Sequence, residues 1–293
     1  MDNVDIRYDL KIKIADSLNN QLKRIGVSAF QLITAFIISN ILLRLFTGAA
    51  AWLIGFSTNL TYNGVTVSPG NFHHWYLRNI IAVHFVPPVL CLLLGILVFG
   101  ILTAFDTVKR IHIFLFWLAT CLVNICLAQL LFAPLGAGGE SSEFFQTFSI
   151  FGSYLHMGAG GMIFFTLVAF IGSVFWGSSV CDEVLKFTFS AQILRTQKGK
   201  NFIVLQVYVI PALLCIAPLV LLHGSTKLYH GSNIFPSLIT ILNLLVISLG
   251  MFFRNSVDFA VLDFEGSDVL NRVPVLEFIP AAIAWTLVFV YFR

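Results

Sequence analysis

Residues 144–176 read FFQTFSIFGSYLHMGAGGMIFFTLVAFIGSVFW, a run without a single Asp, Glu, Lys or Arg. At about 1.5 Å per residue, a helix of this length exceeds the ~30 Å hydrocarbon core of a bilayer. The stretch decides the class of fold, because a soluble domain has no place for it. Counting about twenty residues back from Trp176 puts His156 at a membrane interface. The small residues Gly158-Ala159-Gly160-Gly161 then lie just inside the lipid. Small residues let membrane helices approach closely, so this span is the expected packing centre of a bundle. Four of them within one turn also weaken a helix, which makes a bend or hinge a second expectation.

The rest of the chain agrees with that class. Hydrophobic residues make up 58% and charged residues 11%, less than half the ~25% of soluble domains. The mean hydropathy is +0.91. Working outward from residues 144–176, further apolar runs predict spans at about Gly26–Leu45, His84–Ala104 and Ile111–Phe132 before it. After it they predict spans at about Phe202–Leu222, Ile234–Phe253 and Val275–Phe292. The expected fold is an all-α integral membrane protein, a bundle of about seven transmembrane helices with short loops. The last span is the shortest, near the lower limit for a crossing.

Three features lie outside the bundle. Residues 1–25 place Ile6, Leu10, Ile14, Leu18, Leu22 and Ile25 at helical spacing among Arg7, Lys11, Lys13, Lys23 and Arg24. That pattern predicts an amphipathic interfacial helix, leaving residues 26–293 as one polytopic domain. Between the first two spans, Leu60–Thr61 and Val65–Val67 flank Asn63-Gly64, a two-residue turn signal, so a small β-hairpin is expected there. A surface helix is expected within Ser178–Asn201.

Charge fixes an orientation. With the N-terminus cytoplasmic, thirteen of the seventeen Lys and Arg fall on the inner side. Three fall outside (Arg78, Lys227 and Arg293), and Arg44 lies within the first span. The expected location is a cell (inner) membrane, with the hairpin on the outer side. The small net charge of +3 makes no case for nucleic acid. The expected partners are the lipid bilayer and membrane proteins, or further copies of the chain.

Candidate chemistry is sparse. His84, His156 and His223 are predicted to reach similar depths at the outer end, where they would form a metal site. Glu140, Glu143 or Gln129 would be additional ligands. Two of the histidines on facing helices would alternatively ligate a haem lying against residues 158–161. The competing reading is that they are amphipathic side chains at an interface, since no local ligand spacing such as HxxxH is present. Inside the spans the polar groups are Arg44, Asn124, Gln129 and Asn243. Such amides usually bond to a neighbouring helix.

No HExxH, P-loop or GxGxxG occurs, and no lysine lies within a span to carry a Schiff base. The expected function is therefore non-enzymatic, in transport or as a scaffold or accessory subunit of a membrane complex. A metal- or haem-dependent membrane protein, redox or hydrolytic, using the outward-facing histidines is the alternative.

Overall fold

A computed structural model describes residues 18–61, 64–68, 76–104, 111–131, 158–187, 196–216, 234–254, 281–283 and 286. These are mostly helical. In chain order they form α1 (Leu18–Leu53), β1 (Ser57–Thr61), β2 (Gly64–Ser68) and α2 (Leu77–Thr103). There follow α3 (Ile111–Leu131), α4 (Ala159–Leu185), α5 (residues 197–214) and α6 (Ile234–Phe253). Helices α1, α2, α3 and α4 are each long and apolar enough to cross a membrane. Helix α6 begins and ends where the sequence predicts. The amphipathic pattern up to Asp16 and the last predicted span, apart from residues 281–283 and 286, lie outside the described residues.

Helix α1 runs uninterrupted for 36 residues, from Leu18 through the expected start of the first span at Gly26. Gly26 is a lone glycine with no proline or capping residue beside it, and one such glycine costs only about 1 kcal/mol. The helix ends at Gly55, whose φ of 81° is left-handed. Phe56 N donates to Ala51 O at 3.0 Å and Gly55 N to Trp52 O at 2.9 Å. This pair of bonds is the Schellman termination, and Phe56 packs on Ala51 as that motif favours. Gly55 is required there because a Cβ disfavours the left-handed turn.

The hairpin follows immediately. Its strands pair antiparallel from Ser57↔Ser68 to Thr61↔Gly64. Gly64, expected in the turn, is paired in the ladder with Thr61. Val67 joins a small cluster with Ala51, Phe56 and Val83, which seats the hairpin on the end of α1 and the start of α2.

Helix α2 is not uniform. An α-turn at Leu77–Ile80 gives way to a π-turn at Ile81–Phe85 and then to an α-helix from Val86. Helix α5 repeats the device, with an α-turn at Gln197–Val204, a π-turn at Leu205–Val209 and an α-turn at Ile210–Leu214. Each π-turn ends two residues before a proline, Pro87 of Pro87-Pro88 in one case and Pro211 in the other. A proline in a helix lacks the N–H that its i−4 carbonyl needs, and a wider turn accommodates the mismatch.

The packing centre is α3, not the span containing His156. In α3, 72% of the apolar window is buried, against 28% in α2 and in α4. Helix α3 packs against α1, α2, α4 and α6. Its approach to α2 is close at Gly95, where an added Cβ would lie 2.9 Å from Ala119 O. The outer faces of α2 and α4 remain exposed and apolar, with Leu93, Leu97 and Ile101 on one and Phe164, Ile171 and Phe175 on the other.

Helix α4 starts within the glycine cluster, with Gly158 extended at its N-cap. A Cβ at Gly158 or Gly160 would meet nothing, so neither glycine is a close-packing contact. The helix also runs on past Trp176 to Leu185, beyond the end expected for this span, while residues 188–195 of the expected surface helix lie outside the described residues. Val180, Cys181, Val184 and Leu185 continue its buried stripe, which is why polar neighbours do not end it.

Candidate functional site

Three polar arrangements punctuate the apolar bundle. The deepest joins α3, α4 and α6. Asn243 Nδ2 donates to Asn124 Oδ1 at 2.7 Å, and Asn124 Nδ2 donates to Thr240 O at 2.8 Å. Ser173 Oγ donates to Asn243 Oδ1 at 3.1 Å. Asn124, Asn243 and Ser173 are fully buried. Two of the four intramembrane polar residues predicted from sequence therefore meet, and they meet each other. One turn beyond Ser173, the α4–α6 crossing is so close that Cβ atoms at Gly177 and Gly250 would overlap the Ile247 and Val174 carbonyls. These glycines, spread over two helices, are a close-packing pair in a way that Gly158 and Gly160 are not.

The other two predicted polar residues stay apart from this network. Gln129 is buried on α3, and among the described residues its Oε1 has no hydrogen-bond partner. Arg44 is half-buried toward the hairpin end of α1. Its neighbour Asn40 donates back to Phe36 O at 2.9 Å in the same helix.

The second arrangement surrounds the π-turn of α5. Pro211 cannot donate to Val207 O, and that freed carbonyl accepts Ser28 Oγ from α1 at 2.6 Å. Ser28 Oγ in turn accepts from Trp117 Nε1 of α3 at 2.8 Å. The Trp117 indole stacks on the Tyr208 ring at 4.8 Å, with an interplanar angle of 21°. Next to this relay, Arg24 donates to Gln206 Oε1 at 3.4 Å. One proline thus draws three helices together through a released acceptor. The sequence carries the first half of that signal in Pro211, but nothing local names Ser28 as the donor.

The third arrangement closes the end of the bundle that holds the C-termini of α4 and α6 and the N-terminus of α5. Lys200 is fully buried, and its Nζ donates to Met251 O at 2.8 Å, Phe252 O at 3.2 Å and Arg254 O. Gln197 Nε2 adds bonds to Phe252 O at 3.0 Å and Arg254 O at 3.2 Å. Together they cap the carbonyls that the end of α6 leaves without intrahelical donors. Arg254 then turns to Ser178 O at 2.6 Å and Asp182 Oδ2 at 2.8 Å. Burial pushes the Lys200 ammonium below its ordinary pKa, the Arg254 charge adds to that fall, and the Cys181 thiol opposes it.

Of the predicted histidine ligands, only His84 is described; it is half-buried within the π-turn Ile81–Phe85. His156 and His223, with Glu140 and Glu143, lie outside the described residues. Among the described residues no three His, Cys, Asp or Glu side chains gather as metal ligands do. All five cysteines are buried free thiols.

The fold thus defines a multi-helix membrane protein whose described interior polar groups mainly join helix to helix. No protein-family model, curated protein or solved structure matches the chain, so its role is argued from this geometry.

Proposed function

We propose that the protein is a non-enzymatic scaffold or accessory subunit of a membrane complex. It has about seven spans, a cytoplasmic N-terminus and the hairpin on the opposite, outer side of a cell (inner) membrane. The observation that carries this reading is how the deepest polar groups are used. Asn124, Asn243 and Ser173 bond to one another and to a backbone carbonyl across three helices. A transport path needs polar groups turned toward a passing solute, whereas these are turned toward neighbouring helices. The broad apolar faces of α2 and α4 supply surface for lipid or for partner helices. The distribution of Lys and Arg supports the orientation.

The test is purification of the intact protein in mild detergent from its own membrane, followed by native mass measurement. A fixed stoichiometry with another membrane protein, or with further copies of this chain, is the expected result. A monodisperse single chain that catalyses solute uptake after reconstitution would overturn the reading.

A further inference from the structure

Ser28 stands apart from Thr34, Ser39, Asn40 and Thr47 of the same helix. Those four each donate to the carbonyl four residues back, at 3.0, 2.7, 2.9 and 2.8 Å. Ser28 instead donates to Val207 O on α5 at 2.6 Å. The equivalent acceptor in its own helix is the carbonyl of Arg24, within reach of the same hydroxyl after rotation about one bond. One hydroxyl with two acceptors has two settings, and the distant one exists because Pro211 frees Val207 O.

The turn that Ser28 holds is locally in conflict. Tyr208 is fully buried beside Val207, yet among the described residues its Oη has no hydrogen-bond partner. Across the interface, one turn along α3 from Trp117, Thr120 Oγ1 is likewise buried without a partner among the described residues. The arrangement satisfies the freed carbonyl and leaves two hydroxyls unsatisfied. Opposed local demands of this kind characterise elements with two competing packings. The π geometry adds to the case, since such turns concentrate where helices change shape.

We propose that the π-turn Leu205–Val209 is a latched hinge. Ser28, oriented by Trp117, holds it in the arrangement described. When the Ser28 hydroxyl turns back to the Arg24 carbonyl, the turn is free to rotate and the Tyr208 hydroxyl gains a partner. The Lys200 and Gln197 bonds to the end of α6 fix the segment on one side of the turn, so the motion falls on the side carrying Pro211. The hinge does not depend on the subunit reading, because it rests on separate residues and its test involves no partner.

The two variants Ser28→Ala and Tyr208→Phe act on opposite sides of the latch. Hydrogen–deuterium exchange of the backbone amides in residues 205–216, read by mass spectrometry on the full chain in lipid nanodiscs, reports the released population. Ser28→Ala is expected to speed exchange there by about threefold to tenfold, the factor that one net hydrogen bond makes in an equilibrium. Tyr208→Phe is expected to slow it by a similar factor, because the released state loses its added bond. Unchanged or faster exchange in Tyr208→Phe would overturn the proposal, and so would unchanged exchange in Ser28→Ala. Tyr208→Phe keeps the ring and its stacking, so it decides the matter even where the alanine variant folds poorly.

Discussion

The Gly158–Gly161 cluster and the Gly177/Gly250 pair reverse the order of importance that glycine density suggests. The cluster packs small residues into one turn, yet added Cβ atoms at Gly158 and Gly160 would meet open space. The pair consists of isolated glycines on two helices, and there a Cβ would enter the opposing backbone. Close approach is therefore a property of where a residue faces, not of how many small residues stand together. The cluster serves the chain locally by starting α4, while the pair sets how near α4 and α6 come.

The largest expected effect that sharpens this contrast is at the crossing. Gly177→Ala or Gly250→Ala should destabilise at or above the ~3 kcal/mol top of the usual overpacking range, because the obstruction is backbone and cannot rotate away. Thermal unfolding in detergent measures it, and a loss below about half a kcal/mol would break the comparison. The next effect lies in the amide network that shares the interface. Asn243→Ala leaves Asn124 Oδ1 and Ser173 Oγ without partners and should cost about 1–3 kcal/mol. A double-mutant cycle between positions 124 and 243 should return a coupling of about 0.6–1.7 kcal/mol, and a value near zero would remove the bond from the account. The smallest effect belongs to the cluster. Gly160→Ala should leave the melting midpoint unchanged or raise it slightly, by at most the ~1 kcal/mol difference in helix propensity. A marked loss of stability there would restore the cluster as a packing site.

Much of this bundle is legible from sequence where a helix depends on its own residues. The third helix is delimited by an apolar run following the charges at residues 106–110, and the sixth by its own composition. The reading fails where distant residues decide. The extension of α4 to Leu185 is hidden because Ser178, Asp182 and Glu183 resemble a loop. In the fold, Ser178 O and Asp182 meet Arg254 from another helix, and Glu183 meets Lys186 at 2.7 Å. Asn124 and Asn243 are each conspicuous in an apolar run, but their meeting depends on a crossing geometry that no local pattern encodes. The carbonyl freed by Pro211 follows from proline chemistry alone, whereas its donor lies on the first helix. Of the candidate metal ligands, His84 alone is placed, in a turn whose π geometry follows from Pro87-Pro88.

The length of α1 carries a mechanical consequence. Its 36 residues measure about 54 Å, well beyond a hydrocarbon core of about 30 Å. One end holds Arg24 and Ser28 against α5, and the other carries the Schellman turn and the hairpin. With no proline to break it, the helix is a lever joining the two faces of the membrane. A tilt of about 5° would carry its far end through about 5 Å at that length. A release of the proposed hinge near Ser28 would thereby be geared to the position of the β-hairpin.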